Sequence, residues 1–61
     1  MNWAELNCIV DGLQALIEKY RTALTQGDLS EDDRADISND LAYAEILRDK
    51  YEAERDRIST A

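Results

Sequence analysis

The chain has no histidine, no proline and no phenylalanine, and it carries one cysteine and two glycines. Each absence excludes something. Histidine is the commonest transition-metal ligand and the usual general base near neutral pH. Without it, Ser30, Ser38 and Ser59 have no imidazole to activate them. The lone Cys8 forbids an intrachain disulfide and gives no framework of the kind that small secreted domains use. With no proline and both glycines in the first half, helix breakers are scarce. No apolar run exceeds the four residues Leu41-Ala42-Tyr43-Ala44, so none is long enough to cross a membrane. The first residues lack the basic and hydrophobic regions of a signal peptide, so a soluble cytoplasmic protein is expected.

Sixty-one residues form one domain at most. A chain this short buries a smaller fraction of its surface than a typical domain, and such chains usually draw on disulfides, a metal or oligomerisation for stability. Elimination leaves oligomerisation. The net charge of −7 and pI near 4.2 disfavour phosphate backbones and anionic membranes as direct partners.

Apolar residues recur at helical spacing. Trp3, Leu6, Val10, Leu13, Ile17, Tyr20 and Leu24 alternate by three and four, the a/d seam of a heptad repeat. Ile9, Leu16 and Ala23 flank that seam at g positions and widen the stripe, as in a bundle helix. Helix 1 is therefore predicted over about 2–25. Helix 2, over about 31–58, has an apolar face of Ile37, Leu41, Ala44, Leu47, Tyr51 and Ile58, with Arg48 and Arg55 at its edge. Its period reads as less regular, and its apolar content thins after Tyr51, so its last turns are expected to fray. Glu45/Arg48, Glu52/Arg55 and Glu54/Arg57 offer weak i,i+3 ion pairs. A short bend over 26–30 makes the helices antiparallel neighbours.

The bend reads TQGDLSEDDRADI over 25–37. Gly27 follows the last periodic residue, where a left-handed backbone would end helix 1. Ser30 caps helix 2, with Asp33 in the place of a capping-box glutamate and Leu29 as a hydrophobic staple. Acids at a helix start are favoured by its dipole. A calcium loop fails: Asp28, Ser30 and Asp32 fit its first ligand positions, but Asp33 stands where glycine is needed and Asn39 where glutamate is needed. No metal or cofactor is expected. The same acids, Asp28, Glu31, Asp32, Asp33, Asp36 and Asp40, form a candidate patch for a partner with a basic surface.

A second row needs a separate explanation. Ala4, Cys8, Gly12 and Ala15 are small residues on the far side of helix 1, and a glycine inside a helix costs about 1 kcal/mol relative to alanine. Ala35, Ala42, Ile46 and Ala53 lie similarly on helix 2. Small rows allow close helix approach, so Ala4, Cys8, Gly12, Ala15, Ala42, Ile46 and Ala53 are expected to mediate self-association. Beside Glu5 and Asp11, Cys8 is expected to be a small packing residue, with a redox role as the alternative. Tyr43, at the seam's margin, is a candidate for contact with another protein.

Asp32-Asp33-Arg34-Ala35-Asp36-Ile37, with Leu41 following, resembles the start of the second helix in the Rop-type helical hairpins that regulate plasmid copy number. That resemblance implies a dimeric four-helix bundle, and RNA binding through basic and aromatic residues of helix 1. Here helix 1 carries only Lys19 and Arg21 as cations, near its C-terminal end, so the architecture carries over better than the RNA function.

No nucleophile elbow, phosphate loop or Cys-x-x-Cys motif occurs. The sequence thus predicts an all-α antiparallel hairpin that dimerises into a four-helix bundle. As function it predicts a non-catalytic acidic module that binds itself and another protein as adaptor, regulator or inhibitor. A nucleic-acid-mimicking inhibitor is the alternative, and Rop-like RNA binding ranks below both. Compactness and acidity would suit an accessory protein of a phage or mobile element.

Overall fold

A computed structural model describes residues 1–59. Two helices, α1 (Trp3–Leu24) and α2 (Glu31–Ser59), pack side by side as a hairpin, with no strand among the described residues. The result is a rod of 47 × 14 × 14 Å.

Both helix starts are capped by side chains. At α1 the Glu5 N–H donates to Asn2 Oδ1 at 2.8 Å and the Asn2 N–H donates back to Glu5 Oε1 at 3.4 Å, a reciprocal capping box. At α2 the Asp33 N–H donates to Ser30 Oγ at 3.1 Å, and Glu31, Asp32 and Asp33 fill the first turn. α2 runs as far as Ser59, one residue beyond the end expected from sequence.

The end of α1 differs from the sequence reading. Gly27 does not take a left-handed conformation; no described residue has a positive φ. Instead, Thr25 and Gln26 N–H groups donate to Thr22 and Ala23 carbonyls at 3.1 Å each, a tightened last turn. The Thr25 hydroxyl adds a bond to Thr22 O at 2.6 Å. The guanidinium of Arg34 then reaches back from α2, donating to Leu24 O at 2.9 Å and Gln26 O at 3.0 Å. The orphan carbonyls are satisfied by a cation, which also suits the negative end of the helix dipole. No glycine geometry is needed.

The seam is fully closed at few places. Leu6 and Ile17 have 0% exposure, and Val10 and Ala44 are also buried. Leu13, Tyr20, Leu24, Ile37, Leu41, Leu47 and Tyr51 are half-buried. Trp3, assigned to the core by its spacing, is 45% exposed. It occupies the last layer at the open end of the hairpin, where no further layer covers it. Ile58, near the same end, is exposed as well.

The irregular period of α2 also has a physical explanation. Arg34, Ile37, Leu41, Ala44, Arg48, Tyr51, Arg55 and Ile58 alternate by three and four without a break. The seam is a regular heptad repeat in which Arg34, Leu41, Arg48 and Arg55 share one column. Arg48 and Arg55 are seam residues rather than edge residues, with side chains only 20% and 21% exposed.

Candidate functional site

The arginine column meets a matching column on α1. Arg55 Nη1 donates to Asn7 Oδ1 at 2.9 Å, and Arg48 Nη1 donates to Gln14 Oε1 at 3.0 Å. Asn7 and Gln14 are one heptad apart, as are Arg48 and Arg55 in the opposite order, so the two bonds fix both antiparallel direction and register. Further along, Arg21 Nη2 meets Glu45 Oε2 at 3.4 Å. Arg48 and Arg55 also lie beside Asp49 at 3.1 Å and Asp56 at 3.6 Å. These partners replace the expected pairs: Glu45 joins Arg21 across the hairpin rather than Arg48, and Arg55 reaches Asn7 rather than Glu52. The expected Glu54–Arg57 pair is present at 2.7 Å.

This ladder gives the hairpin two unlike flanks. On a heptad helix the e column adjoins a, and the g column adjoins d. Asn7, Gln14 and Arg21 occupy α1's e column, so the flank they share with α2's arginines and Glu45 is closed by polar side chains. The opposite flank joins the d and g columns. There α1 contributes Leu13, Tyr20, Ile9, Leu16 and Ala23, and α2 contributes Leu47 and Tyr51, all half-buried. No charged residue of α1 lies in that flank's d and g columns.

The outer faces hold the rows singled out for self-association. Ala4, Cys8, Gly12, Ala15, Ala42, Ile46 and Ala53 are all exposed in the hairpin, and Cys8 is a free thiol. A Cβ built at Gly12 meets nothing within 4 Å. Gly12→Ala is therefore expected to stabilise the hairpin by about 1 kcal/mol through helix propensity. Thermal unfolding followed by circular dichroism checks it, and a lowered melting temperature would mean that something packs against Gly12.

On α2, Tyr43 and Ile46 are neighbours at i,i+3 and are each 65% exposed. At the bend, Asp28, Glu31, Asp32, Asp33, Asp36 and Asp40 are all exposed, and none forms an ion pair among the described residues. No group of three or more Cys, Asp or Glu side chains among the described residues is arranged to hold a metal. The described residues enclose no cavity, and no helix is long and apolar enough to cross a membrane.

No family model, curated protein or solved structure matches this chain. The likeness of residues 32–41 to Rop-type hairpins therefore stands on those residues alone.

Proposed function

We propose that the hairpin is a non-catalytic binding module that associates with itself into a four-helix bundle and acts as adaptor, regulator or inhibitor of another protein. The observation that carries the partner reading is the exposed Tyr43–Ile46 pair on the outer face of α2. A tyrosine held on a rigid helix brings a large amphipathic contact area at low entropic cost, and aromatic side chains dominate binding hot spots. Self-association is supported by the small number of fully buried residues in a chain of this length.

A second reading rests on the bend. Its six exposed, unpaired carboxylates form a dense negative end, whereas the chain up to Gly27 sets three acids against Lys19 and Arg21. Such an end suits steering towards a basic surface, or mimicry of a nucleic acid in a basic groove.

The two readings separate once a partner has been co-purified from the native host. Under the first, Tyr43→Ala lowers affinity by roughly tenfold or more, and added salt changes it little. Under the second, Tyr43→Ala is neutral, Asp32→Asn with Asp36→Asn slows association, and affinity falls steeply with salt. Loss of binding on salt alone, with Tyr43→Ala silent, would replace the adaptor reading with the mimic.

A further inference from the structure

We infer that the surface through which a second copy docks is the half-open d/g flank, and not the outer rows of small residues. This rests on the self-association proposed above and names its interface. Three observations point there. The first is asymmetry: the a/e flank is already closed by Arg48 on Gln14 and Arg55 on Asn7, whereas Ile9, Leu13, Leu16, Tyr20, Leu47 and Tyr51 line the other flank half-covered. Completing a core already half built removes more apolar surface from water than pairing Ala4, Cys8 and Ala15, whose side chains are short.

The second observation is area. The hairpin exposes 4374 Å², more than the roughly 4000 Å² expected of a compact monomer of its mass. α1 has 22 residues and is about 33 Å long. A flank of that length and two helices wide projects roughly 650 Å², near the about 800 Å² per partner that a stable interface buries. One docked helix from a different protein would cover only part of that width. A second hairpin covers it all, and gives two buried layers facing each other.

The third observation is charge. The acids that give the chain its −7 are concentrated in α2 and at the bend, and α1's half of the flank carries no charged side chain. In α2's g column Asp33, Asp40 and Glu54 lie on one rim of the flank, while the adjoining c columns hold Glu5 and Lys19 of α1 and Asp36, Lys50 and Arg57 of α2. A two-fold pairing that sets α1 of one copy against α2 of the other brings Lys19 as well as Glu5 to the acidic rim. The acids there meet a cation and the apolar g column of α1 rather than a continuous row of carboxylates.

The experiment is sedimentation equilibrium of the full chain from micromolar to several hundred micromolar, with helicity followed in parallel. The wild type is expected at about twice its 7.0 kDa mass. Leu16→Glu and Leu47→Glu should each weaken the dimer about 100-fold or more by burying a charge, whereas Ala15→Glu and Ile46→Glu should change it by less than about threefold. The reverse pattern overturns the assignment but leaves self-association standing. A wild type that stays at monomer mass overturns both, including the case in which the flank serves another protein's helix. Thiol labelling in the Cys8→Ser background covers the case in which the glutamate variants fail to fold. The labelling rate at Leu16→Cys should drop about tenfold as the dimer fills, while that at Ala15→Cys stays constant. Protection of Ala15→Cys alone, or of neither site, contradicts the inference.

Discussion

Ile17→Ala should leave the chain largely unfolded at room temperature, whereas Ile46→Ala should hardly alter its melting. The chemistry of the two substitutions is the same; the surroundings differ. Ile17 is fully enclosed between the helices, and Ile46 is 65% exposed on the outer face of α2. Truncating a buried isoleucine costs about 2–5 kcal/mol in lost transfer energy and residual cavity. The core of so short a chain supplies only about 3–5 kcal/mol in total, so that loss is decisive. At an exposed site the change stays within about 0.5 kcal/mol. Far-ultraviolet circular dichroism during thermal and urea unfolding measures both. If Ile46→Ala proves as damaging as Ile17→Ala, the outer face is buried in the folded protein, and the placement of the core is wrong.

The second large effect is expected at the arginine column. Replacing Arg48 and Arg55 together by leucine removes two bonds that cross to α1 and makes the seam of α2 apolar from Ile37 to Ile58. Polar residues at seam positions of a heptad repeat specify register and oligomeric state at a cost in stability. Exchange of a partly buried polar network for well-packed apolar residues is often stabilising by about 1–4 kcal/mol. The double variant should therefore melt at a higher temperature and lose its single assembly state, with species larger than the wild type in sedimentation velocity. Asn7 and Gln14 remain half-exposed and can return to water, which limits the penalty for losing their donors. Lower stability with an unchanged assembly state would instead make the two arginines ordinary structural bonds with no part in specificity.

α1 was legible from sequence because its seam is apolar at every a and d position, and the three–four alternation is then visible without any partner. The seam of α2 was half hidden. Arginine counts as polar in a periodicity reading, so Arg48 and Arg55 appeared at the edge of the apolar face when they are members of the repeat. Their fit depends on Asn7 and Gln14 lying opposite, and that follows only from the register of the folded hairpin. Glu45 and Glu52 looked like the partners of Arg48 and Arg55, because a sequence displays neighbours along one helix and not across two. Of the three expected pairs only Glu54–Arg57 forms. Gly27 misled for a related reason. Glycine is the usual solution at a helix end, but here the carbonyls of Leu24 and Gln26 are reached by Arg34 from the next helix.

The candidate surfaces divide in the same way. The acids of the bend were visible directly, and their exposure follows from their chemistry. Tyr43 was singled out as a residue at the margin of the seam, but the repeat places it in the c column, on the outer face of α2 and 65% exposed. The open flank was present in the sequence as the g column Ile9, Leu16 and Ala23, noted as a wider stripe. What the sequence did not disclose is that the opposite flank is closed by side-chain bonds. That asymmetry turns a wide stripe into a surface with a direction.

The most direct test of this asymmetry is an isotope-filtered nuclear Overhauser experiment on a mixture of labelled and unlabelled chains, which separates contacts within one hairpin from contacts between two. The account predicts intermolecular signals from the methyl groups of Ile9, Leu16 and Leu47, with contacts of Asn7 to Arg55 and of Gln14 to Arg48 found only within a chain. Intermolecular signals from Ala4, Ala15, Ala42 and Ile46, with none from Leu16, would contradict it.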